Sequence, residues 1–227
     1  CQCVLSAFPQ GIVLASPIDV DKFWAAYEEK YGQLPGNDDA ERLRVLQQSG
    51  DVYNGKVFPP LKDSDCELLQ KVKDAATDKL SGDYSCVYWP QLLWRYREEL
   101  AEIGIYSPDD LAGRLTLGEE YQNDGEVITL KGKEADIGAD VWHYLREKGE
   151  PTPLDIIQRE MWQLPLEQIE KAIRSPNSII STDTKIYMVA EDFPLSQDDL
   201  PQIRNVLAEA LAESTEGKLR TMRPSRP

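Results

Sequence analysis

The sequence predicts an α+β protein that is predominantly α-helical and is built from tandem winged-helix-like units with short two-stranded β-hairpins. Three observations support this fold class. Apolar residues recur at helical spacing, residues typical of helix starts precede several of these segments, and turn residues separate short β-rich runs. No apolar run approaches the roughly 20 residues that a transmembrane helix needs, so we expect no membrane contact.

An internal duplication supports the tandem arrangement. Residues 23–30 align with residues 141–148, so that Trp24 matches Trp142, and Gly and Pro follow each segment. We therefore expect the two tryptophans to fill equivalent cores. The alignment continues through residues 43–46 with 169–173, Phe58-Pro59 with Phe193-Pro194, and Leu68, Val72, Ala75 and Ala76 with Ile203, Leu207, Ala210 and Leu211.

Turn residues predict three hairpins. Asn54-Gly55 separates two β-rich runs, and this dipeptide suits a type I′ turn because both central residues need a positive φ. Asp124-Gly125 gives the same signal within residues 121–130, and residues 181–185 separate a further pair of runs. In each repeat copy Phe-Pro and a long helix follow the hairpin, whereas the middle unit ends with its hairpin.

Helix starts are predicted where a residue that can accept hydrogen bonds from the first backbone N–H groups is followed by acidic residues. Between residues 86 and 130, the helix opened by Trp89-Pro90 carries one apolar stripe, which predicts a middle unit of similar shape. The predicted starts are Ser107-Pro108-Asp109-Asp110, Thr152-Pro153-Leu154-Asp155 and Ser196-Gln197-Asp198-Asp199.

These patterns predict four regions of the chain. A first repeat copy with a long helix occupies residues 1–84, and a middle helix-helix-hairpin unit occupies residues 85–137. A second copy with a C-terminal helix occupies residues 138–215, and a basic tail follows at residues 216–227.

Residues 138–190 resemble the winged-helix family, in which three helices precede a two-stranded wing. The first copy has no room for a separate second helix between Gly32 and Asp38, so we expect it to be abbreviated or to contribute to the core of a neighbouring unit. Members of this family often place the third helix in the major groove of DNA, so the resemblance implies nucleic-acid binding as one function. In the second copy the helices would span 140–148, 154–161 and 165–175, and the wing 179–189.

The charge distribution disfavours contact with a polyanion. The chain has 25 basic and 40 acidic residues, and the predicted third helix of the second copy carries Glu167 and Glu170. Nucleic-acid binding would therefore depend on local basic patches. The candidate contacts for nucleic acid or for a partner are Arg42, Arg44, Lys56, Lys171, Arg174, Lys185, Lys218, Arg220, Arg223 and Arg226.

The four cysteines, at positions 1, 3, 66 and 86, have neither the spacing of a zinc site nor the density of a disulfide-rich secreted domain. We expect reduced structural thiols, with Cys66 and Cys86 beside apolar neighbours, and a cytoplasmic location. The chain begins without Met, so we interpret it as a region of a larger protein.

No residue pattern predicts catalysis, a cofactor or a metal. His143 is the only histidine, and it has no carboxylate or cysteine at a catalytic spacing. Adjacent acidic pairs such as Glu28-Glu29 point about a quarter-turn apart or more on a helix, which suits neither a shared proton nor a shared metal. We expect the tryptophans, including Trp89 and Trp94, to be core residues rather than a ligand platform.

The function that fits these observations best is a non-enzymatic protein-interaction or regulatory region of a larger intracellular protein. Its partner would be another protein or another domain of the parent chain. The alternative is a nucleic-acid-binding module that uses a local basic patch or the C-terminal basic tail. An enzyme ranks third, because it would need a carboxylate-lined cleft that the sequence does not reveal.

Overall fold

A computed structural model describes residues 1–82, 84–175, 178–194 and 199–221, and in the last range it describes side chains at 199 and 201–212. The described part is predominantly helical and contains small antiparallel three-stranded sheets, so the predicted α+β class is confirmed. No helix in the described ranges is both long enough and apolar enough to cross a membrane.

The first of three successive units lies at the N-terminal end of the chain. Both β1 and β2 pair antiparallel with β3. Ser16 caps α2 and Asp38 caps α3, because each side chain accepts a hydrogen bond from a backbone N–H three residues further on. The elements are α1 (Gln2–Leu5), β1 (Ile12–Val13), α2 (Pro17–Tyr31), α3 (Asp39–Gln47), β2 (Asp51–Tyr53) and β3 (Lys56–Phe58).

The second unit has two short helices, α5 and α6, where the first unit has the single helix α2. Ser107 caps α7 by accepting a hydrogen bond from the backbone N–H of Asp110, as its sequence predicts. The elements are α4 (Asp63–Ser81), β4 (Cys86–Tyr88), α5 (Trp89–Arg95), α6 (Arg97–Glu102), α7 (Pro108–Arg114), β5 (Tyr121–Asp124) and β6 (Val127–Leu130).

The third unit follows the predicted helices of residues 138–190 to within a few residues. Thr152 does not cap a helix, because its hydroxyl donates to the Glu150 carbonyl oxygen and Thr152 itself lies in a strand. Of the predicted start at residues 196–199, only Asp199 is described. The elements are α8 (Ile137–Lys148), β7 (Thr152–Pro153), α9 (Leu154–Glu160), α10 (Leu166–Arg174), β8 (Ile179–Asp183), β9 (Ile186–Val189), a short 3-10 helix (Ala190–Asp192) and α11 (Leu200–Thr221).

All three units share one order of elements: a helix, a short strand, one or two further helices, a last helix and a hairpin. In each sheet the short strand pairs with the second strand of the hairpin, which gives the orders β1-β3-β2, β4-β6-β5 and β7-β9-β8. The sequence predicts the hairpins but not the additional strands, because strands of two or three residues are too short to show alternation.

The first hairpin turn follows the predicted chemistry, the second is shifted by one residue, and the third is shorter than the predicted 181–185, because residues 181–183 lie in β8. Asn54 has a φ of 45° and Gly55 a φ of 74°, as a type I′ turn requires. In the middle hairpin Asp124 pairs with Val127. The turn therefore falls at Gly125-Glu126, one residue after the predicted Asp124-Gly125.

The predicted equivalence of Trp24 and Trp142 is wrong. Trp24 lies on α2, which follows the short strand of its unit, whereas Trp142 lies on α8, which precedes the short strand of its own unit. The first unit is also not abbreviated, because α1 supplies its first helix. Helical spacing predicts that a segment is a helix with one buried face. It does not predict which position that helix takes in the order of elements of its unit.

The helix α4 packs with the second unit, although the predicted boundary at residue 84 assigns it to the first. The first-unit core includes Phe23 and Leu46, and the third-unit core includes Val141 and Ile169. Between these cores, Trp89 packs in the second-unit core with four buried side chains of α4: Leu69, Val72, Ala76 and Leu80.

Candidate interaction site

The hairpin of the first unit packs on the last helix of the second unit. Lys56 Nζ on β3 lies 2.9 Å from Asp110 Oδ1 in the first turn of α7. The side chain of Asp110 is only 7% exposed and that of Lys56 is 29% exposed. Because both groups are largely shielded from water, solvent screens the attraction between these charges less than it does in a surface pair.

Close backbone approaches hold the same two units together. A Cβ at Gly113 on α7 would lie 1.9 Å from the Tyr53 ring of the hairpin. A Cβ at Gly104, just before α7, would lie 1.7 Å from the Pro9 carbonyl oxygen of the first unit. Both contacts therefore depend on the absence of a side chain at the glycine.

Arg114 completes the junction between the first and second units. Its guanidinium donates to the Pro59 carbonyl oxygen at 3.0 Å and lies 5.1 Å from the centroid of the Phe58 ring. Burial lowers the pKa of Arg114, and nearby carboxylates, with Asp51 first, oppose this shift. The guanidinium thus contacts the neighbouring unit instead of presenting its charge to solvent.

Ser85 and Asp140 join the second unit to the third. The Ser85 backbone N–H donates to Asp140 Oδ1 at 2.9 Å, and the Ser85 hydroxyl donates to Asp140 Oδ2 at 2.8 Å. Burial raises the pKa of Asp140, and the hydrogen bonds from Ser85 oppose that shift. Cys86 follows in the chain and lies in the third-unit core, where burial raises the pKa of its thiol to about 11.

Aromatic and basic side chains extend the contact between the second and third units, which we call the second junction. The Arg95 guanidinium lies 4.4 Å from the centroid of the Trp162 ring, and Lys79 Nζ donates to the Glu160 carbonyl oxygen at 3.0 Å. Burial lowers the pKa of Lys79, and the charge of Arg95 lowers it further. Both junctions are thus made by direct contacts between neighbouring units.

A groove of about 510 Å³ lies between α2 and α3 of the first unit, and we call it the first-unit groove. Its lining includes Trp24, which is 8% exposed, and Leu43, which is 36% exposed. Three carboxylates and one guanidinium also line it, so it is apolar with a net negative rim: Asp21, Glu28, Asp39 and Arg42.

The sequence does not reveal this groove. Its apolar pattern assigns Trp24 to a core, and helical spacing does not show how far apart two helices pack. The available signal is Leu43, a large apolar residue between the charged residues Arg42 and Arg44 of α3. An apolar residue between two charged ones can lie at the edge of a groove, as Leu43 does here.

An exposed aromatic patch lies on the second unit. Trp94 is 66% exposed and Tyr106 is 51% exposed, so the prediction that Trp94 is a core residue is wrong. The Arg97 guanidinium lies 4.1 Å from the centroid of the Trp94 ring. Trp, Tyr and Arg are the residue types that contribute most to protein–protein binding, which favours a protein partner for this surface.

A cavity of about 600 Å³ lies between the first and second units, and its lining includes Lys22, Lys56, Asp19 and Asp110. Lys56 and Asp110 neutralise each other there. The described lining contains no histidine or cysteine, and its serine, Ser107, caps α7.

No family model matches this chain. No curated protein and no solved structure matches it either. The inference of function therefore depends on the geometry and chemistry of the three units and their surfaces.

The basic residues predicted to form a patch in the first copy do not form one positive surface in the structure. Arg42 Nη1 lies 3.1 Å from Asp39 Oδ1, and Lys56 pairs with Asp110. Arg44 is exposed on α3. Arg42 and Lys56 are thus paired with carboxylates and do not extend a positive surface around Arg44.

The candidate basic residues of the third unit stay at the surface. Lys171 and Arg174 occupy exposed positions on α10, and Arg174 Nη2 lies 2.9 Å from Glu170 Oε2. Lys185 is exposed in the turn of the last hairpin, where its φ is 57°. Arg174 is thus neutralised within its own helix, while Lys171 and Lys185 stay available.

The predicted basic tail has no described side chain. Lys218 and Arg220 lie in α11 beyond the residues whose side chains are described. Arg223 and Arg226 lie outside the described residues. A contact by this tail therefore stays a prediction.

His143 and the cysteines lie at different places in the described fold. His143 is exposed on α8, with its ring centroid 5.1 Å from that of Trp142. Within the described ranges, no group of three or more His, Cys, Asp or Glu side chains is placed to hold a metal. Cys86 is buried as predicted, whereas Cys66 is exposed, contrary to the prediction.

Proposed function

We propose that this chain is a non-enzymatic protein-interaction or regulatory module, built on three tandem winged-helix-like units. The observation that supports it most is the packing of β2 and β3 on α7. The wing and the third helix are the elements with which winged-helix proteins often contact DNA. Here the wing of one unit and the last helix of the next, which takes the place of the third helix, bind each other through Lys56 and Asp110.

The first-unit groove is the proposed partner site. Its lining combines an apolar floor with three carboxylates and one guanidinium, so it suits an apolar segment flanked by basic residues. The occupant we propose is an amphipathic helix of a protein partner, with Lys or Arg beside its apolar stripe, because helices commonly bind in apolar grooves in this way.

The compartment we propose is a reducing one, such as the cytoplasm. Cys1, Cys3, Cys66 and Cys86 are all free thiols. Exposed free thiols such as those of Cys3 and Cys66 persist where the cellular thiol pool is reduced.

The groove can be tested with a defined probe, an amphipathic helical peptide of Leu and Lys about 15 residues long, which is long enough to form a helix on binding. We expect saturable binding by isothermal titration calorimetry and at least a tenfold weaker affinity for Leu43→Asp. The matched control is Val52→Asp, which changes an exposed apolar residue of the same unit outside the groove lining.

A second peptide distinguishes specific binding in the groove from non-specific electrostatic attraction. Its composition is identical, but its order is scrambled so that no apolar stripe forms. Weaker binding of the scrambled peptide supports the proposal. Equal binding of both peptides, or equal affinity of Leu43→Asp and Val52→Asp, would overturn it, because either result means that the acidic surface attracts any cation.

A further inference from the structure

Two cations of the second unit contact one tryptophan of the third. Trp162 follows α9 and packs against the second-unit core. The Arg95 guanidinium, at the end of α5, lies 4.4 Å from the centroid of the Trp162 ring, and Lys79 Nζ, on α4, lies 6.0 Å from the same centroid. Two positive charges therefore come close together at the second junction, in a chain whose net charge is −15.

The Glu160 carboxylate beside these cations is bound by other donors. Lys148 Nζ lies 2.7 Å from Glu160 Oε2, and the Tyr144 hydroxyl donates to the same oxygen at 3.1 Å. Arg159 Nη2 lies 3.6 Å from Glu160 Oε1. Lys79 donates instead to the backbone carbonyl oxygen of Glu160, at 3.0 Å. One negative charge is thus left to balance several positive ones.

The repulsion between Lys79 and Arg95 is not offset by an ion pair. Among the residues that the structure describes, neither side chain forms an ion pair with a carboxylate. Burial lowers the pKa of Lys79, the charge of Arg95 lowers it further, and the charge of Glu160 opposes both effects. An anion that accepts hydrogen bonds from both cations would remove this repulsion, because each would then face an opposite charge.

We propose that Lys79 and Arg95 form a binding site for a phosphate group, either free inorganic phosphate or a phosphomonoester. A guanidinium can donate two parallel N–H bonds to a phosphate, and an ammonium adds a compact charge. Phosphate has enough oxygens to accept from both. Lys79 is half-buried and Arg95 is exposed, so solutes can reach the site. One such site does not hold a DNA duplex, whose affinity is the sum of many phosphate contacts.

A phosphate bound here would stabilise the closed second junction. Lys79 and Arg95 lie on the second unit, whereas Glu160 and Trp162, which they contact, follow in the third. The anion would hold both cations in the positions from which they make these contacts. Cys86 is fully buried in the third-unit core, so its thiol should react only when the junction opens. The rate of that reaction therefore reports how often the junction opens.

Phosphorus NMR of inorganic phosphate titrated with the full chain tests binding at a fixed ionic strength set with chloride. We expect a dissociation constant in roughly the millimolar range, because charge-assisted contacts form at a site open to water. Arg95→Gln should weaken binding at least about fivefold, which is about 1 kcal/mol. Arg44→Gln is the matched control, because it removes the same charge from an exposed position on α3. Equal affinity of the two variants, or no saturable binding, would overturn the proposal.

Alkylation of Cys86 by iodoacetamide, followed by mass spectrometry, distinguishes binding from a purely structural role of Arg95. At a phosphate concentration about ten times the dissociation constant, alkylation should be about tenfold slower than in chloride of equal ionic strength. In Arg95→Gln the two rates should be equal, and each comparison is made within one protein. Phosphate also strengthens apolar burial in general. An equal slowing in Arg95→Gln would therefore show a general salt effect and would overturn the proposal.

A short alanine peptide with one central phosphoserine distinguishes the two sources of the phosphate group. Stronger protection of Cys86 by this peptide than by inorganic phosphate supports a site for a phosphorylated partner, and the reverse order supports a site for the free anion. Equal protection by the unphosphorylated peptide would contradict a phosphate site. Leu43→Asp, in the first-unit groove, should leave phosphate binding unchanged, so the failure of either proposal leaves the other intact.

Discussion

Lys56 Nζ on the hairpin of the first unit lies 2.9 Å from Asp110 Oδ1 in the first turn of α7, and the carboxylate is only 7% exposed. This contact fixes the wing of one unit on the last helix of the next. Lys56 was predicted as a nucleic-acid or partner contact, and Asp110 was predicted as an acidic residue at a helix start. The structure pairs the two side chains with each other.

Removal of the lysine charge should destabilise the protein. We expect Lys56→Met to lower the free energy of unfolding by about 1 to 3 kcal/mol, because Asp110 then stays buried without its cation. Urea denaturation measures this change. Arg174→Met is the control, because its pair with Glu170 is exposed and such pairs contribute at most about 1 kcal/mol.

A double-mutant cycle isolates the Lys56–Asp110 interaction. Lys56→Met combined with Asp110→Asn should cost less than the sum of the two single changes, because no unpaired charge stays behind. Strict additivity would contradict the claim that the two side chains depend on each other.

Alanine substitutions at two glycines with the same φ distinguish the cost of a packing clash from the cost of backbone strain. Gly104 and Gly132 both have a φ of 78°, so alanine at either position costs about 1 to 2 kcal/mol in conformational energy. Only at Gly104 does the new Cβ meet a neighbour, the Pro9 carbonyl oxygen. Gly104→Ala should therefore be more destabilising than Gly132→Ala by at least about 2 kcal/mol.

Urea denaturation of the two alanine variants decides this point. Equal losses of stability would mean that the first and second units do not approach each other at Pro9. A larger loss at Gly104, with an unchanged slope against urea, would agree with a close contact in the native state.

The Cys86 thiol should react only when the second junction opens. Its pKa is raised to about 11 by burial, so about one thiol in a thousand is ionised at pH 8. Cys3 and Cys66 are exposed, and we expect them to be alkylated first. Mass spectrometry of native protein treated with iodoacetamide should find Cys86 unmodified until urea is added.

The same pKa predicts the direction of a pH effect. The unfolded chain loses the Cys86 proton near the ordinary value of 9.0, and the folded chain loses it near 11. Stability from this group should therefore be complete below pH 9 and should fall as the pH rises from 9 to 11. Cys86→Ala should lack this component, and identical pH profiles for the two proteins would contradict the burial of the thiol.

Local features of this fold were predictable from sequence, and long-range features were not. Asn54-Gly55 and Ser107 act on neighbouring backbone groups, so residue chemistry alone predicts the turn and the helix cap. The exposure of Trp94 and the pairing of Lys56 with Asp110 depend on how units pack, about which helical periodicity carries no information. The mismatch of Trp24 with Trp142 has the same origin, because every packed helix shows a similar apolar stripe.

Titration of a fluorescein-labelled mixed-sequence DNA duplex, followed by anisotropy at about 20 mM salt where screening is minimal, tests most directly whether this is a protein-interaction module. The account predicts no change in anisotropy, because the hairpin of the first unit packs on α7 of the second unit and the chain carries a net charge of −15. Saturable binding that weakens steeply with added salt, and that Lys171→Ala with Lys185→Ala abolishes, would contradict it and would favour the nucleic-acid alternative.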